Sequence, residues 1–333
     1  MGALQDVKDY LASIGVPAGR YSDAALNQAI ATEAAAQSKK CRVPSVDLPD
    51  GLALWFRAED LAGLADGDPV SSWTSAAGTS VATQGTGSAQ PTKRTLDGKD
   101  SVRFDGVNDW LALDGDALTF SNAAAGVTLI TRFKRNAAQD RSIFSIYTGG
   151  SAVRYRLLTA SSVWKFGGRR LDADSFVEIG TGSAADQGVH TVSGVIDYAR
   201  TSISLYVDGV LDASSTSFQT AGVASATNST LAAFGAQADG QFPLSADLYE
   251  FLAWPRALSA TERALAEDYL SGGGLPWPLR ESLARRVVIN FARRGVTLGV
   301  VEQASDGGSP SFIPRQDAEV KRLEAPYRKL VVG

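Results

Sequence analysis

The sequence predicts an α+β protein with segregated domains, in which an all-β jelly-roll sandwich interrupts a small helical bundle. The middle of the chain holds many short runs of β-branched and aromatic residues, separated by Gly, Asn, Asp and Ser. Helical periodicity with capping signals is found only on either side of these runs. The length of 333 residues fits about two domains. We therefore place the helical parts at residues 1–45 and 278–333, and the sandwich at residues 46–277.

The composition excludes several kinds of disulfide, metal and catalytic site. Hydrophobic residues make up 44% of the chain and charged residues 20%, which is typical of a globular protein with a sizeable core. Cys41 is the only cysteine, so neither an intrachain disulfide nor a cysteine-based zinc site can form. His190 is the only histidine, and any histidine-based catalysis would run through it alone.

The net charge of −4 is distributed unevenly along the chain. Residues 1–45 and 276–333 together hold 15 Lys and Arg against 10 Asp and Glu, whereas the middle holds 17 against 26. This difference indicates two modules with different partners. No apolar run approaches the ~18 residues of a membrane helix, and the first residues lack the pattern of a signal peptide. We therefore expect synthesis in the cytoplasm and no membrane partner.

The first 45 residues predict two helices. Asp6 to Ile14 is a short amphipathic stretch that Gly15 and Pro17 would end. Ser22 or Asp23 would cap a second, alanine-rich helix. Three cations, at positions 39, 40 and 42, fall in its last turn, where the helix dipole favours positive charge. Cys41 lies among them, and we interpret it as a packing residue, with a reactive thiol of lowered pKa as the alternative.

From Leu52 to about Ala253 the sequence predicts strands joined by turns, as in an antiparallel sandwich. Asp208-Gly209 indicates a hairpin, because this pair suits a tight turn with positive φ. Several apolar side chains of these strands are well placed as the inward-facing core of the sandwich: Trp55, Phe104, Ile196, Leu205, Val207, Leu248 and Phe251.

After the strands, Ser259 and Glu262 form a capping box that opens a helix. Gly272–Gly274 then marks a boundary. Residues 279–294 predict a further amphipathic helix, whose apolar face holds Leu283, Val287, Val288 and Phe291.

Five segments of the middle resemble one known family. They are LALWFRAED, PVSSWTSAAG with VATQ, LDGKDSVRFDGVNDWL, VHTVSGVIDYARTSISLYVDG and ADLYEFLAWPRALSATERALAEDYL, in this order. Together they resemble the laminin-G-like branch of the concanavalin A-like lectin/glucanase superfamily, over residues ~50–277. The resemblance implies a jelly roll of two packed antiparallel sheets.

Hydrolases of that superfamily place two carboxylates at alternating positions of one strand, as glycoside hydrolysis requires. Asp247 and Glu250 are three residues apart, so on a regular strand their side chains would point to opposite faces. We find no other strand with such a pair, and we expect that the protein is not an enzyme and has no catalytic residue or cofactor.

Lectins stack aromatic side chains on sugars, which makes Trp73, Trp110, Trp164 and Tyr147 candidates for glycan binding. The alternative is that they are core or edge residues. Asp105, Asn108 and Asp109 are candidate calcium ligands because their oxygens lie close in sequence. Their alternative role is to hydrogen-bond a tight turn. We interpret His190 as structural.

The flanks resemble a second family. DVKDYLASIG with YSDAALNQAIATEAAAQSKKCRVP, and LRESLARRVVINFARRGVTLGVVE with FIPRQDAEVKRLEAPYRKLVVG, resemble phage head-to-tail adaptor proteins. The resemblance implies a dodecameric ring at the head–tail junction of a virion, assembled in the host cytoplasm, between the portal protein and a downstream tail or stopper protein, with DNA passing through. The interface residues it suggests are Val287, Phe291, Arg286, Arg293, Arg294, Tyr327, Arg328, Lys329 and Leu330. For the arginines, a solvated charged face is the alternative.

Two functions follow from these resemblances. The first is a virion structural protein, a head-to-tail adaptor whose outward β domain decorates the particle and could bind a host-surface glycan. The alternative is a carbohydrate-binding protein of host adsorption, anchored to the virion by its helical flanks. Both can hold together, because a binding site and a scaffold are separable.

Overall fold

A computed structural model describes residues 3–13, 15–16, 20–40, 48–96, 99–137, 141–149, 152–160, 163–237, 240–271, 277–294 and 318–325. The chain divides into two compact units. One unit is Leu48–Leu270, and the other joins Met1–Asp47 to Ser271–Gly333. The β unit therefore ends at residue 270 instead of the expected 277, and the helix that ends at Leu270 packs on it.

The β unit consists of strands joined by short loops and closed by one helix. Its strands are β1 Leu54–Arg57, β2 Ser72–Thr74, β3 Val81–Thr83, β4 Thr92–Leu96, β5 Lys99–Asp105, β6 Leu111–Leu113, β7 Gly126–Arg135, β8 Arg141–Tyr147, β9 Val153–Ala160, β10 Val163–Gly168, β11 Val177–Ala184, β12 Val189–Asp197, β13 Ser202–Val207, β14 Val210–Ser215, β15 Leu231–Phe234 and β16 Ser245–Trp254. The helices of the chain are α1 Ala3–Ser13, α2 Asp23–Lys40, α3 Ala260–Leu270, α4 Trp277–Arg294 and α5 Ala318–Glu324.

The strands form two antiparallel sheets of eight strands each. Sheet I has the order β14-β13-β12-β7-β16-β5-β4, with β1 paired to the far half of β16. Sheet II has the order β11-β10-β9-β8-β15-β6-β3-β2. Neighbours that are distant in sequence, such as β7 and β16, lie at the centre of sheet I. This arrangement is a jelly-roll sandwich, as predicted.

The core lies between the two sheets. Phe104, Leu205, Leu248 and Phe251 are buried there, as predicted. Trp55 was predicted inside and is not. Its neighbours Leu54 and Phe56 enter the core, so Trp55 lies on the outer face of sheet I.

Helix α3 covers part of that outer face. Its apolar side packs on Ile130, Leu252 and Trp254 through Ala266 and Leu270, and Leu258, just before the helix, joins this cluster. The predicted capping box is present: the hydroxyl of Ser259 accepts from the backbone N–H of Glu262, and the Glu262 carboxylate accepts from the backbone N–H of Ser259. The helix therefore begins where its sequence places it.

The second unit is helical in its described residues. Its core is formed by α1, α2 and α4, through Val7, Leu11, Leu26, Ala29, Leu283, Ala284 and Val287. Helix α5 was not predicted. It docks Val320 and Leu323, and its Glu324 joins a buried polar cluster with Gln37, Ser282 and Arg286. No helix that the structure describes is long and apolar enough to span a membrane.

Candidate functional site

Two of the tryptophans predicted to bind glycans are core residues. Trp73 is 0% exposed and Trp164 is 1% exposed. Trp73 packs edge-on against Phe56 at 5.4 Å between ring centroids, and Trp164 packs against Phe133 at 5.3 Å. A ring stacks on a sugar only through an exposed face, so the prediction is wrong for these two residues. Their size suits the space between the sheets.

Trp110 and Tyr147 come together on the outer face of sheet II. They form a small cluster with Val153 and Ala233, separate from the core. Trp110 faces outward because the following Leu111 enters the core, and Tyr147 faces outward because the preceding Ile146 enters the core. We call Trp110, Tyr147, Val153 and Ala233 the aromatic patch. Of its two aromatic rings, Trp110 is the more exposed, since Tyr147 is 5% exposed.

A loop between β15 and β16 brings a further aromatic residue to this region. Gly240, at φ +81°, lies so close to the indole of Trp110 that a Cβ atom there would stand 3.2 Å from it. Two residues later, Phe242 is 53% exposed, and the guanidinium of Arg141 lies 6.0 Å from its ring centroid. Phe242 thus extends the aromatic surface from Trp110 into solvent.

The backbone of Phe242 is strained. Its φ is +55°, which is rare for a bulky residue, and the following Pro243 restricts it further. Such a conformation costs about 1–3 kcal/mol and is concentrated at functional sites. Our sequence predictions missed Phe242. The signal that could have identified it is an aromatic residue between Gly240 and Pro243, in a loop where no core would bury it.

The candidate calcium ligands form a turn. The carboxylate of Asp105 accepts from the N–H groups of Val107 and Asn108, at 2.8 and 3.3 Å. Asp109 accepts from the N–H of Asp105 at 2.9 Å, and burial raises the pKa of Asp109 to about 6. Both carboxyl groups thus hydrogen-bond the backbone of the turn, which is the alternative role that the sequence indicated. Among the residues described, no group of three or more His, Cys, Asp or Glu side chains is arranged to hold a metal.

The prediction that Asp247 and Glu250 point to opposite faces is wrong. Leu248 lies opposite Phe133 of β7 and Glu250 lies opposite Arg132, so β16 carries one extra residue at Tyr249. This bulge reverses the alternation and places both carboxylates on the outer face of sheet I. A sequence alone gives no signal for it.

The two carboxylates have different environments. Asp247 is buried, and its carboxylate accepts hydrogen bonds from Nε and Nη2 of Arg103, at 2.7 and 2.9 Å. Glu250 accepts from the indole N–H of Trp55 at 2.5 Å and is hydrogen-bonded to Tyr269. Burial raises the pKa of Glu250 to about 7, despite these donors. Asp247 is therefore held by Arg103, whereas Glu250 changes charge near neutral pH.

His190 lies between two carboxylates. Its Nδ1 is 2.7 Å from Asp208 and its Nε2 is 2.7 Å from Asp186. These hydrogen bonds, led by the one to Asp208, raise the pKa of His190 to about 9, so that the ring is protonated at neutral pH. A protonated ring bonded on both sides cannot act as a base. It joins β12 to the turn after β13. Cys41 lies outside the described residues.

In the helical unit, two predicted interface residues are internal. Val287 is 0% exposed in the helical core. Arg286 donates from Nε and Nη2 to Glu324 at 2.5 and 2.7 Å, and so joins α4 to α5. The structure assigns both to packing within the unit. The side chains of Phe291, Arg293 and Arg294, and the residues Tyr327, Arg328, Lys329 and Leu330, lie outside what the structure describes.

A family model matches part of the β unit. Residues 105–262 match a laminin G-type model of the concanavalin A-like lectin/glucanases superfamily. The strand order of the β unit is consistent with this match. No curated protein matches the chain in sequence.

Several solved structures are similar to this chain. The receptor-binding domain of botulinum neurotoxin mosaic serotype C/D is 10% identical, with a TM-score of 0.47, over 67% of this chain and 52% of that one. Botulinum neurotoxin type C, whose cell entry depends on two ganglioside molecules, is 9% identical, with a TM-score of 0.48, over 67% of this chain and 52% of that one. The binding domain of Paraclostridial Mosquitocidal Protein 1 is 11% identical, with a TM-score of 0.47, over 67% of this chain and 53% of that one. The alignment spans about half the length of these structures.

Proposed function

We propose that the concanavalin A-like jelly roll makes this chain a carbohydrate-recognition protein without catalytic activity. In this proposal the saccharide binds at the aromatic patch and the neighbouring Phe242, and the helical unit anchors the protein to a larger assembly. The observation that carries the proposal is Phe242, an aromatic ring held in solvent by a strained backbone, in the loop that packs on Trp110.

An exposed aromatic ring gives a sugar a large and rigid apolar face at little entropic cost. Phe242 supplies that face, and Trp110 supports the loop that presents it. Arg141, beside the ring of Phe242, adds hydrogen-bond donors for hydroxyl groups. Packing does not offset the strain at Phe242, since about half of the side chain is in solvent. A binding role accounts for it.

The absence of catalysis is part of the proposal. Glycoside hydrolysis needs two carboxyl groups with separate roles. Asp247 and Glu250 share a face, but both oxygens of Asp247 are engaged by Arg103. His190 is held as a cation between two carboxylates. These arrangements support recognition of a ligand more than its chemical conversion.

A glycan array probed with the full chain, followed by calorimetry on the best ligand, tests the proposal. We expect Phe242→Ala and Trp110→Ala to weaken binding at least tenfold. Leu265→Ala is the matched control, because Leu265 is as exposed as Phe242 but lies on α3, over sheet I. Equal affinities of wild type, Phe242→Ala and Trp110→Ala would overturn the proposed site, and no binding to any glycan would overturn the function.

We propose further that the helical unit anchors the protein in a virion at the head–tail junction, next to the portal and tail proteins, with DNA passing through a homo-oligomeric ring. The residues before and after the jelly roll form one compact unit, as an inserted domain requires. Native mass spectrometry tests this part. A ring of about twelve chains, from the adaptor resemblance, would support it, and a monomer at micromolar concentration would overturn it.

A further inference from the structure

The outer face of sheet I carries a guanidinium to which no described carboxylate is hydrogen-bonded. Arg132 lies directly opposite Glu250 across β7 and β16, yet it forms no ion pair with any residue that the structure describes. Its one hydrogen bond is a long contact of 3.5 Å from Nη1 to the hydroxyl of Thr191. Its Nε is buried and has no partner. An unpaired buried donor of this kind is unfavourable.

A second cation lies beside Arg132. Lys99, at the start of β5, shares the outer face of sheet I with Arg103. The alternate residues Val102 and Phe104 enter the core. It forms no hydrogen bond or ion pair among the described residues. Burial and the charge of Arg132 lower the pKa of Lys99, and burial lowers the pKa of Arg132. The two cations are therefore close enough to repel each other.

Three other arginines of this domain are hydrogen-bonded to carboxylates. Arg103 pairs with Asp247, Arg154 with Asp172 and Arg156 with Glu178. Arg132 faces a carboxyl as well, but Glu250 is turned to Trp55 and Tyr269 instead. Arg132 thus differs from these three arginines in that no described carboxylate is hydrogen-bonded to it, although Asp208 and Glu250 lie near it.

We propose that Lys99 and Arg132 form a site for an oxyanion, the carboxylate or sulfate group of an acidic ligand, and that Glu250 lies beside the bound anion. The guanidinium of Arg132 offers a planar set of donors that fits a carboxylate or sulfate, and Lys99 adds a point charge. The site lies on sheet I and the aromatic patch lies on sheet II, so this inference does not depend on the proposed carbohydrate site.

Glu250 makes the affinity depend on pH. As a neutral acid it can donate a hydrogen bond to the anion, and as a carboxylate it repels the anion. The charged or titratable groups around it are Arg57, Glu59 and Tyr269, together with Lys99 and Arg132 of the site; Asp208 and Tyr249 lie near Arg132. We expect oxyanion binding to weaken as the pH rises through about 7, where Glu250 ionises.

Calorimetry on the full chain tests the site, with sodium sulfate and sodium glucuronate as separate probes and sodium chloride at matched ionic strength as the reference. We expect at least one probe to bind, and Arg132→Gln and Lys99→Gln each to weaken it at least tenfold. Preference for sulfate or for glucuronate identifies the acidic group. Arg200→Gln is the matched control, since it removes an equal charge from a side chain that is 84% exposed.

Lys99→Gln keeps the test decisive if Arg132→Gln fails to fold, because Lys99 is at the surface and holds no partner among the described residues. Glu250→Gln should bind equally at pH 6 and pH 8, whereas wild type should bind more tightly at pH 6. Affinities unchanged in Lys99→Gln, or no heat beyond the chloride reference for either probe, would overturn the proposal. Neither result would affect glycan binding at Phe242.

Discussion

Arg103 holds Asp247 with two parallel hydrogen bonds, from Nε and Nη2 to the two carboxylate oxygens, at 2.7 and 2.9 Å. The pair joins β5 to β16 at the point where β16 begins its bulge. Asp247 is buried, whereas about a third of the Arg103 side chain is exposed. The pair is therefore asymmetric, since only one of its charges depends on the other for solvation.

This asymmetry predicts unequal mutations. Arg103→Ala leaves a buried carboxylate with only Asn136 as a side-chain donor, and should lower the free energy of unfolding by about 3 kcal/mol. Asp247→Asn leaves an arginine that water can reach, and should lower it by about 1 kcal/mol. Urea denaturation of both variants measures the difference. Equal losses would show that Arg103 and Asp247 depend on each other to the same extent.

The bulge also shows what the sequence could and could not predict. Apolar residues in strand-like runs identified Phe104, Leu248 and Phe251 as core. Regular alternation failed for Glu250, because one extra residue at Tyr249 moves the later side chains of β16 to the other face, and no residue type indicates it.

The aromatic residues give the same lesson at the candidate site. Trp73 lies between Ser72 and Thr74, both exposed, and this alternation in β2 was a sign of burial that its residue type obscured. Phe242 depends on a local backbone conformation, which tertiary contacts decide. The fold was therefore predictable from repeated patterns, whereas the site depends on single irregularities.

The ring of His190 should stabilise the fold in a pH-dependent way. Its pKa is raised from 6.5 to about 9, chiefly by Asp208, so its contribution is complete below pH 6.5 and is lost as the pH rises through 9. Both carboxylates are largely exposed, so we expect only about 1 kcal/mol after screening. Denaturation of wild type and His190→Gln at pH 6 and pH 10 checks this. The two proteins should differ at pH 6 and converge at pH 10.

The strain at Phe242 predicts that stability and binding respond oppositely to one mutation. Phe242→Gly removes the penalty of φ +55° and should raise the free energy of unfolding by about 1 kcal/mol. The same change removes the aromatic face and should abolish glycan binding. Thermal melting and calorimetry on the same preparation measure both effects. Leu211→Gly, at an exposed apolar residue of β14, is the control and should not stabilise. A destabilised Phe242→Gly would mean that the ring packs in a way that offsets its strain.

Glu250 should make the protein less stable as the pH rises, in the opposite sense to a paired carboxylate. Its pKa is raised from 4.5 to about 7 by burial, so the folded state binds a proton more tightly than the unfolded chain. The free energy of unfolding should therefore fall between pH 4.5 and 7 and stay low above that. Each unit of pKa shift corresponds to ~1.4 kcal/mol, so Glu250→Gln should be about 3 kcal/mol more stable than wild type at pH 8. The difference should vanish at pH 4.5, where wild type is neutral too. Glu59→Gln, at an exposed neighbour, is the control and should leave the pH dependence in place. A parallel pH dependence of wild type and Glu250→Gln would show that Glu250 is ionised in the folded protein. Arg132 would then have a charged partner across the strand.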